Sequence, residues 1–329
     1  MSIREENNKM SDSNQNITQK DQPDIFKIGV ISGKGGVGKT TVSGSLAVLF
    51  KEHANKIIAA DCDVDAPNLG LLFKGGKIIN NFKVKTTEKA KFLPDLCIQC
   101  KRCVEEQFCN FSALGWNDDE DLPIVDDIAC EGCGACRELC PQQAFEIIQV
   151  DSGLITHETS PAGFPLVWGE TKLGATTSGK LVTEIKKYVD SIVDANERAI
   201  VLIDGPPGIG CPVVATVSDL DYTIIVIEPT STALHDADRA IGVLKQLNIN
   251  HGIVINKSDA WKRGYEEILH YADENNIKII GEIPMDNKVP NATVKGQTVY
   301  EYDSSCQASK SLAKIYSYLL EKVVPKSFQ

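Results

Sequence analysis

No apolar run in these 329 residues approaches the roughly 18 that a membrane-crossing helix needs. The first two dozen residues, MSIREENNKMSDSNQNITQKDQPD, also have no apolar core of the kind that directs secretion. Both absences point to a cytoplasmic chain with a disordered tail over 1–24. Basic charge is scarce as well: 34 Lys and Arg stand against 45 Asp and Glu, a net charge of −11. That balance argues against general binding to nucleic acid or anionic lipid. The five histidines (His53, His157, His235, His251 and His270) form no ligand-spaced set. The final stretch, SLAKIYSYLLEKVVPKSFQ, reads as the last helix of a domain and has no basic amphipathic membrane tail.

Cysteine, by contrast, is plentiful and unevenly placed. Of eleven, eight lie between Cys97 and Cys140, and only Cys62, Cys211 and Cys306 lie elsewhere. Without a secretory signal, such clustering points to a metal centre in a reducing compartment and away from a disulfide framework. Cys62, on a buried strand, and Cys211 are expected to pack as small apolar residues.

From Phe26 the pattern runs strand, glycine-rich loop, helix: FKIGVIS, GKGGVGKT, TVSGSLAVLFKEH. A second buried strand, KIIAADCD, ends in acids, and four more short apolar runs follow late in the chain: RAIVLIDGPPG, YTIIVIEPT, GIVINKSD and IKIIGEIP. Helical stretches such as TALHDADRAIGVLKQLN and YEEILHYADENN separate them. This alternation predicts an α/β fold, a mostly parallel sheet with helices on both faces and ligands at the carboxyl ends of its strands.

Residues 93–150 break the rhythm. They are short-turned and cysteine-rich, and they repeat themselves, CIQCKRC at 97 returning as CEGCGAC at 130. The expected organisation is therefore an α/β domain in two parts, 25–92 and 151–329, with a small α+β unit at 93–150 inserted between them.

GKGGVGKT, Gly33 to Thr40, satisfies the G-x-x-x-x-G-K-[ST] phosphate-binding pattern in strand-to-helix context. Backbone amides of Gly33, Lys34, Gly35, Gly36, Val37 and Gly38, with Thr41 beyond, are expected to wrap the phosphates of ATP or ADP. Lys39 reaches the β and γ oxygens, and Thr40 offers its hydroxyl to Mg2+.

In the insert, Cys130, Cys133, Cys136 and Cys140 follow C-x2-C-x2-C-x3-C with Pro141 next, the bacterial ferredoxin run. In such a run the fourth thiolate serves the other cluster. Exchange of fourth ligands predicts two 4Fe-4S clusters, one on Cys97, Cys100, Cys103 and Cys140, the other on Cys130, Cys133, Cys136 and Cys109. The first half departs from the pattern, with five residues between Cys103 and Cys109 and Asn110 in place of proline. Setting CNFSAL beside CPQQAF restores the register and keeps Cys109 as a ligand. Zinc fits poorly, because its sites favour well-separated C-x2-C pairs.

Lys34, a second lysine inside the loop, makes SGKGGVGKTT resemble the deviant P-loop class of MinD, ParA, the nitrogenase iron protein and the Mrp-type iron-sulfur scaffold ATPases. With DGPPGIGCPVV, EPTSTALHDADRA and the two cysteine runs, the chain resembles members of that superfamily carrying an inserted ferredoxin domain, over nearly everything after Asp24. The resemblance implies an ATP-sandwich homodimer in which Lys34 crosses to the partner's nucleotide. It implies that Asp61 of DCDVDAPNLG helps hold the Mg2+ shell and that Asp63 orients or deprotonates the attacking water, a task Asp65 is equally placed to share. Asp204 of VLIDGPPGIG is expected to bind Mg2+ through water, Gly205 and Gly208 to follow the γ-phosphate, and Asn256 to read the adenine edge.

The function expected first is ATP hydrolysis coupled to electron transfer through two 4Fe-4S clusters, with an unknown redox partner. Next comes a metallocluster assembly or carrier role with a cluster-acceptor partner, and then MinD- or ParA-like positioning. No recognisable glutaminase nucleophile favours the amide-ligase branch of the class.

Overall fold

The computed structural model describes residues 23–53, 56–175, 177–195 and 197–329. The tail expected over 1–24 lies outside the described residues up to residue 22, and Asp24 already opens the first strand. The chain begins with β1 (Asp24–Ser32), α1 (Lys39–His53), β2 (Ile57–Asp61) and the short α2 (Leu69–Leu72). Strands β3 (Lys77–Val84) and β4 (Thr87–Phe92) lead to α3 (Arg102–Glu105), β5 (Leu114–Asn117), β6 (Leu122–Val125), α4 (Ala135–Leu139) and β7 (Phe145–Val150). The return passes through β8 (Gly153–Thr159), β9 (Pro165–Thr171), α5 (Ser178–Ser191), β10 (Arg198–Pro207), α6 (Cys211–Val217) and β11 (Tyr222–Ile227). The chain ends with α7 (Ser231–Gln246), β12 (His251–Asn256), α8 (Lys262–Glu274), β13 (Ile279–Ile283), α9 (Lys288–Val294), α10 (Val299–Tyr302) and α11 (Gln307–Lys322).

Among the described residues, nine strands form one sheet in the order β13-β12-β11-β1-β10-β2-β9-β8-β3. From β13 to β9 neighbours are parallel, whereas β8 and β3 are added antiparallel at one edge. The central strands are continuous apolar runs, IIAAD in β2 and YTIIVI in β11, because helices cover both faces and leave no side for polar alternation. One core packs α1 and α11 on one face, with Phe50 edge-on to Tyr316 at 5.0 Å between ring centroids; a second packs α5, α6 and α7 on the other. Phe50 is fully buried, and its truncation to Ala is expected to cost about 3–5 kcal/mol. No helix of the described residues is long and apolar enough to cross a membrane.

Residues 87–150 stand apart from this sheet. β4 pairs antiparallel with β7, Thr87 opposite Val150 and Phe92 opposite Phe145, while β5 and β6 form a separate hairpin. The small unit therefore takes in Thr87–Phe92, ahead of the expected start at 93, because its first strand carries charged residues and no cysteine. Hydroxyls fasten its base: Thr87 Oγ1 lies 2.9 Å from Thr177 Oγ1, and Thr86 Oγ1 lies 2.7 Å from Ser152 Oγ.

Candidate functional site

A cavity of about 890 Å³ opens at the carboxyl ends of the central strands, floored by the loop between β1 and α1. Gly35, Gly36, Gly38, Lys39, Thr40 and Thr41 line it, and Asp63 and Asp65 face them from the loop after β2. Gly38 has φ +97°, and a Cβ there would lie 2.2 Å from Asn256 Nδ2, so only glycine fits the turn. Lys39 opens α1 and is only 7% exposed, at a helix start whose free amides and dipole favour an anion.

Asp61, the last residue of β2, pairs in register with Asp204, three residues before the end of β10, and both are buried. Asp204 Oδ2 accepts from the Thr40 hydroxyl at 2.7 Å, and its Oδ1 has no partner among the described residues. A buried, orphaned carboxylate oxygen beside a hydroxyl suits a hydrated cation. Asp61 is occupied otherwise: its carboxylate accepts the backbone N–H groups of Asp63 at 3.0 Å and of Asn68 and Leu69 at 2.8 Å. Those bonds fix the loop that carries Asp63 and Asp65 to the cavity. Burial pushes both the Asp61 and Asp204 carboxyls upward, and their mutual repulsion adds to it for Asp61. Burial likewise raises Asp63, opposed by the charge of Lys39.

Of the expected nucleotide residues, Gly33, Lys34, Val37 and Asn256 do not line the cavity, and the expected Mg2+ residues Asp61 and Asp204 lie buried behind its wall. Asn256 Nδ2 donates to the Val37 carbonyl at 2.7 Å and braces the phosphate loop from beneath. Lys34 Nζ pairs with Glu228 Oε1 at 2.8 Å, while Glu228 Oε2 takes Lys257 at 3.1 Å. Burial would raise Glu228, but hydrogen bonds from Lys34 and Lys257 outweigh it and hold its carboxyl below the ordinary value. Sequence reasoning gave Glu228 no role; its position at the end of β11, where ligand-side residues gather, was the available signal.

The eight clustered cysteines line two small pockets. Cys97, Cys100, Cys103 and Cys140 surround one, and Cys109, Cys130, Cys133 and Cys136 surround the other. Each pocket thus draws its fourth thiol from the opposite half of the repeat. The halves match in backbone detail. Gln99 and Lys101 adopt positive φ where Gly132 and Gly134 do, and α3 and α4 each start after a left-handed residue. Ala113 N donates to Cys109 Sγ at 3.3 Å, and Ala144 N to Cys140 Sγ at 3.4 Å, the same i+4 contact. Ser112 and Gln143 share the positive-φ turn between them. The extra length ahead of Cys109 is taken up around Gln107, another positive-φ residue.

Among the described residues no three His, Cys, Asp or Glu side chains close on a single-ion site. Two rings of four thiols, with backbone N–H groups aimed at several sulfurs, are a donor set that fits iron-sulfur clusters. Of the other cysteines, Cys62 packs as expected and burial pushes its thiol up, Cys211 is exposed at the start of α6 and does not pack as the expected small apolar residue, and Cys306 caps α11, accepting from Ser309 N.

Residues 28–299 match the family model described as the CobQ/CobB/MinD/ParA nucleotide binding domain. An uncharacterised protein of Methanocaldococcus jannaschii is 38% identical over 299 residues, covering 90% of this chain and 97% of its own length. The iron-sulfur cluster carrier protein of Pyrococcus furiosus is 25% identical, covering 95% of this chain and 90% of that one. Among solved structures, MinD of Pyrococcus horikoshii complexed with Mg-ADP superimposes with a TM-score of 0.56 at 18% identity, covering 92% of this chain and 99% of that one. These likenesses and the cleft agree: the chain belongs to the CobQ/CobB/MinD/ParA nucleotide-binding-domain family.

Proposed function

We propose that this protein is a Mg2+-dependent ATPase whose nucleotide cycle controls one-electron transfer through two 4Fe-4S clusters held by residues 87–150. The observation that carries the reading is the sorting of eight cysteines into two pockets of four with exchanged fourth members. When bound, such clusters accept and release single electrons.

The protein's own part is binding and positioning. Backbone amides of the phosphate loop and the Lys39 ammonium neutralise the β and γ phosphates, Thr40 and Asp204 hold the Mg2+ shell, and Asp63 directs the attacking water. Asp61 works one step back, by fixing the loop that bears Asp63. In the active form two copies face each other across two nucleotides, and Lys34 leaves Glu228 for the partner's phosphates. Loss of the γ-phosphate then releases the loops after β2 and β10, where Gly208 at φ +93° permits the change.

A cluster-carrier role is the second reading, favoured by the name of the Pyrococcus furiosus relative. The burial of Cys103, Cys130 and Cys136 supports resident clusters over clusters given away. Redox titration of reconstituted protein with Mg-ATP analogue and with Mg-ADP tests the coupling. A midpoint that moves between the two states is expected. Equal midpoints, with ready cluster transfer to an apo-acceptor, would favour the carrier.

A further inference from the structure

Lys89 sits in the middle of β4 with 5% of its surface exposed, and among the described residues no carboxylate lies within ion-pairing distance. Its Nζ donates instead to two carbonyls: that of Cys130, in one cysteine ring, and that of Gly174, at 3.0 Å, in the loop after β9. A buried ammonium facing only carbonyls is costly unless a negative charge lies near. Four thiolates on an iron-sulfur cluster leave a net negative charge that grows on reduction, and the Cys130 ring supplies that charge.

The same strand grips the ring at two other points. Ala90 N donates to Cys130 Sγ at 3.3 Å. Gly132, at φ +65°, passes so close that a Cβ there would meet the Glu88 carbonyl at 2.3 Å. The Cys130–Cys133 turn is thus pinned to β4, and Lys89 is the link from that turn to the large domain.

The other end of the link reaches the nucleotide cavity. Gly174 follows Thr171, the last residue of β9. Thr171 N donates to the Val64 carbonyl at 2.9 Å, and its hydroxyl donates to Asp65 Oδ1 at 2.9 Å. Asp65 lines the cavity beside Asp63. From the nucleotide loop to the cysteine ring the path is therefore Asp65, Thr171, the turn to Gly174, Lys89 and Cys130, with hydrogen bonds joining the separate segments.

Resting on the redox reading above, we propose that Lys89 is the positioning residue that couples the nucleotide loop to the cluster on Cys109, Cys130, Cys133 and Cys136, and that its charge raises that cluster's potential. A shift of the 63–65 loop pulls on Thr171, moves the Gly174 carbonyl and changes how closely the ammonium is held to the ring. The first ring, on Cys97, Cys100, Cys103 and Cys140, is lined by Lys101 and Arg102, but both are largely exposed and paired with Asp121 and Glu106, and among the described residues neither is tied to the nucleotide loop.

The test uses the full-length, cluster-loaded protein, with Lys89→Met, Lys89→Arg and Thr171→Val. Redox titration followed by electron paramagnetic resonance, with Mg-ADP and with an ATP analogue, gives the midpoints, and hydrogen exchange reads residues 172–175. Lys89→Met is expected to lower one midpoint by an amount on the order of a tenfold change in reduction equilibrium, ~59 mV for one electron. It should also abolish that midpoint's response to nucleotide and speed exchange in 172–175. Lys89→Arg should keep most of the midpoint. Thr171→Val should lose the nucleotide response alone, and adding it to Lys89→Met should remove nothing further.

Wild-type midpoints that respond to nucleotide, with Lys89→Met unchanged in both respects, overturn the role of Lys89 and leave the redox reading standing. If Lys89→Met fails to hold clusters, an Arg variant whose midpoint falls as far as expected for Met overturns the charge argument. Wild-type protein that takes up no iron overturns both proposals.

Discussion

In the nucleotide cleft, Lys39 and Thr40 stand on the first turn of α1, whose far face is embedded in the larger of two extensive cores. In the unit at 87–150, eight thiols stand on turns and on the short helices α3 and α4, and the apolar cluster has seven buried residues, Ala90, Cys103, Phe108, Ala113, Cys130, Cys136 and Phe145. Three of those seven are themselves cysteines assigned to the rings. The cleft is therefore built before its ligand arrives, with burial of hydrocarbon holding Asp61, Asp204 and Lys39 where water would otherwise draw them out. The cysteine unit has a far smaller apolar cluster, so under the proposed function the clusters would contribute to its folding. Coupling can therefore start where a rigid sheet meets a compliant small unit, at Thr87, Thr177 and Lys89.

The largest effect should come from taking the iron away. Anaerobic chelation is expected to leave amide protection in β1, β10 and β11 intact while residues 87–150 lose theirs in hydrogen exchange. Equal protection in both regions would mean that the cysteine unit stands on its own core.

Next in size is Lys39→Ala, which should cut ATP turnover about 100-fold or more, the scale of one transition-state donor, while iron content and the circular dichroism spectrum stay unchanged. A loss of iron in that variant would show that the two regions fold as one.

Smaller is the expected effect of Glu228→Gln. The Lys34–Glu228 pair is partly exposed, so its release is worth at most about 1 kcal/mol. Nucleotide-dependent dimerisation, read by sedimentation velocity with an ATP analogue, should strengthen up to about fivefold. Weakened dimerisation would show that Glu228 positions Lys34 instead of restraining it.

The smallest effect lies away from both sites. Asp219 is half-buried, which would raise its carboxyl, but ion pairs with Lys186 and with Lys27 at 2.8 Å outweigh burial and hold it below its ordinary value. A carboxyl with a depressed folded pKa contributes stability that is present above its unfolded pKa and is lost as pH falls through its folded pKa. Asp219→Asn should therefore melt lower than wild type at neutral pH, with the gap closing as pH drops below the ordinary carboxylate range. A gap independent of pH would assign the loss to packing.

Much of the fold was legible because its signals are local. Apolar runs such as YTIIVI and the loop GKGGVGKT declare a buried strand and a phosphate turn within ten residues, and CNFSAL beside CPQQAF aligns the two halves. The edge strand β3 was not legible: KIINNFKV is mostly exposed and has neither a buried run nor clean alternation. Strand β4 was missed for a related reason, since TEKAKF looks like a surface segment until Lys89 is seen to be buried. Long-range polar pairs escaped altogether. Nothing near Lys34 signals Glu228, 194 residues on, and nothing near Asn256 signals the Val37 carbonyl that takes its amide hydrogen.

Metal analysis decides whether two four-iron clusters reside in this nucleotide-binding protein. Anaerobically purified, reconstituted protein should hold about eight irons and eight sulfides per chain, the count of two 4Fe-4S clusters, and give paramagnetic signals of two reduced, interacting clusters. Zinc in place of iron, or iron without sulfide, would exclude the two clusters.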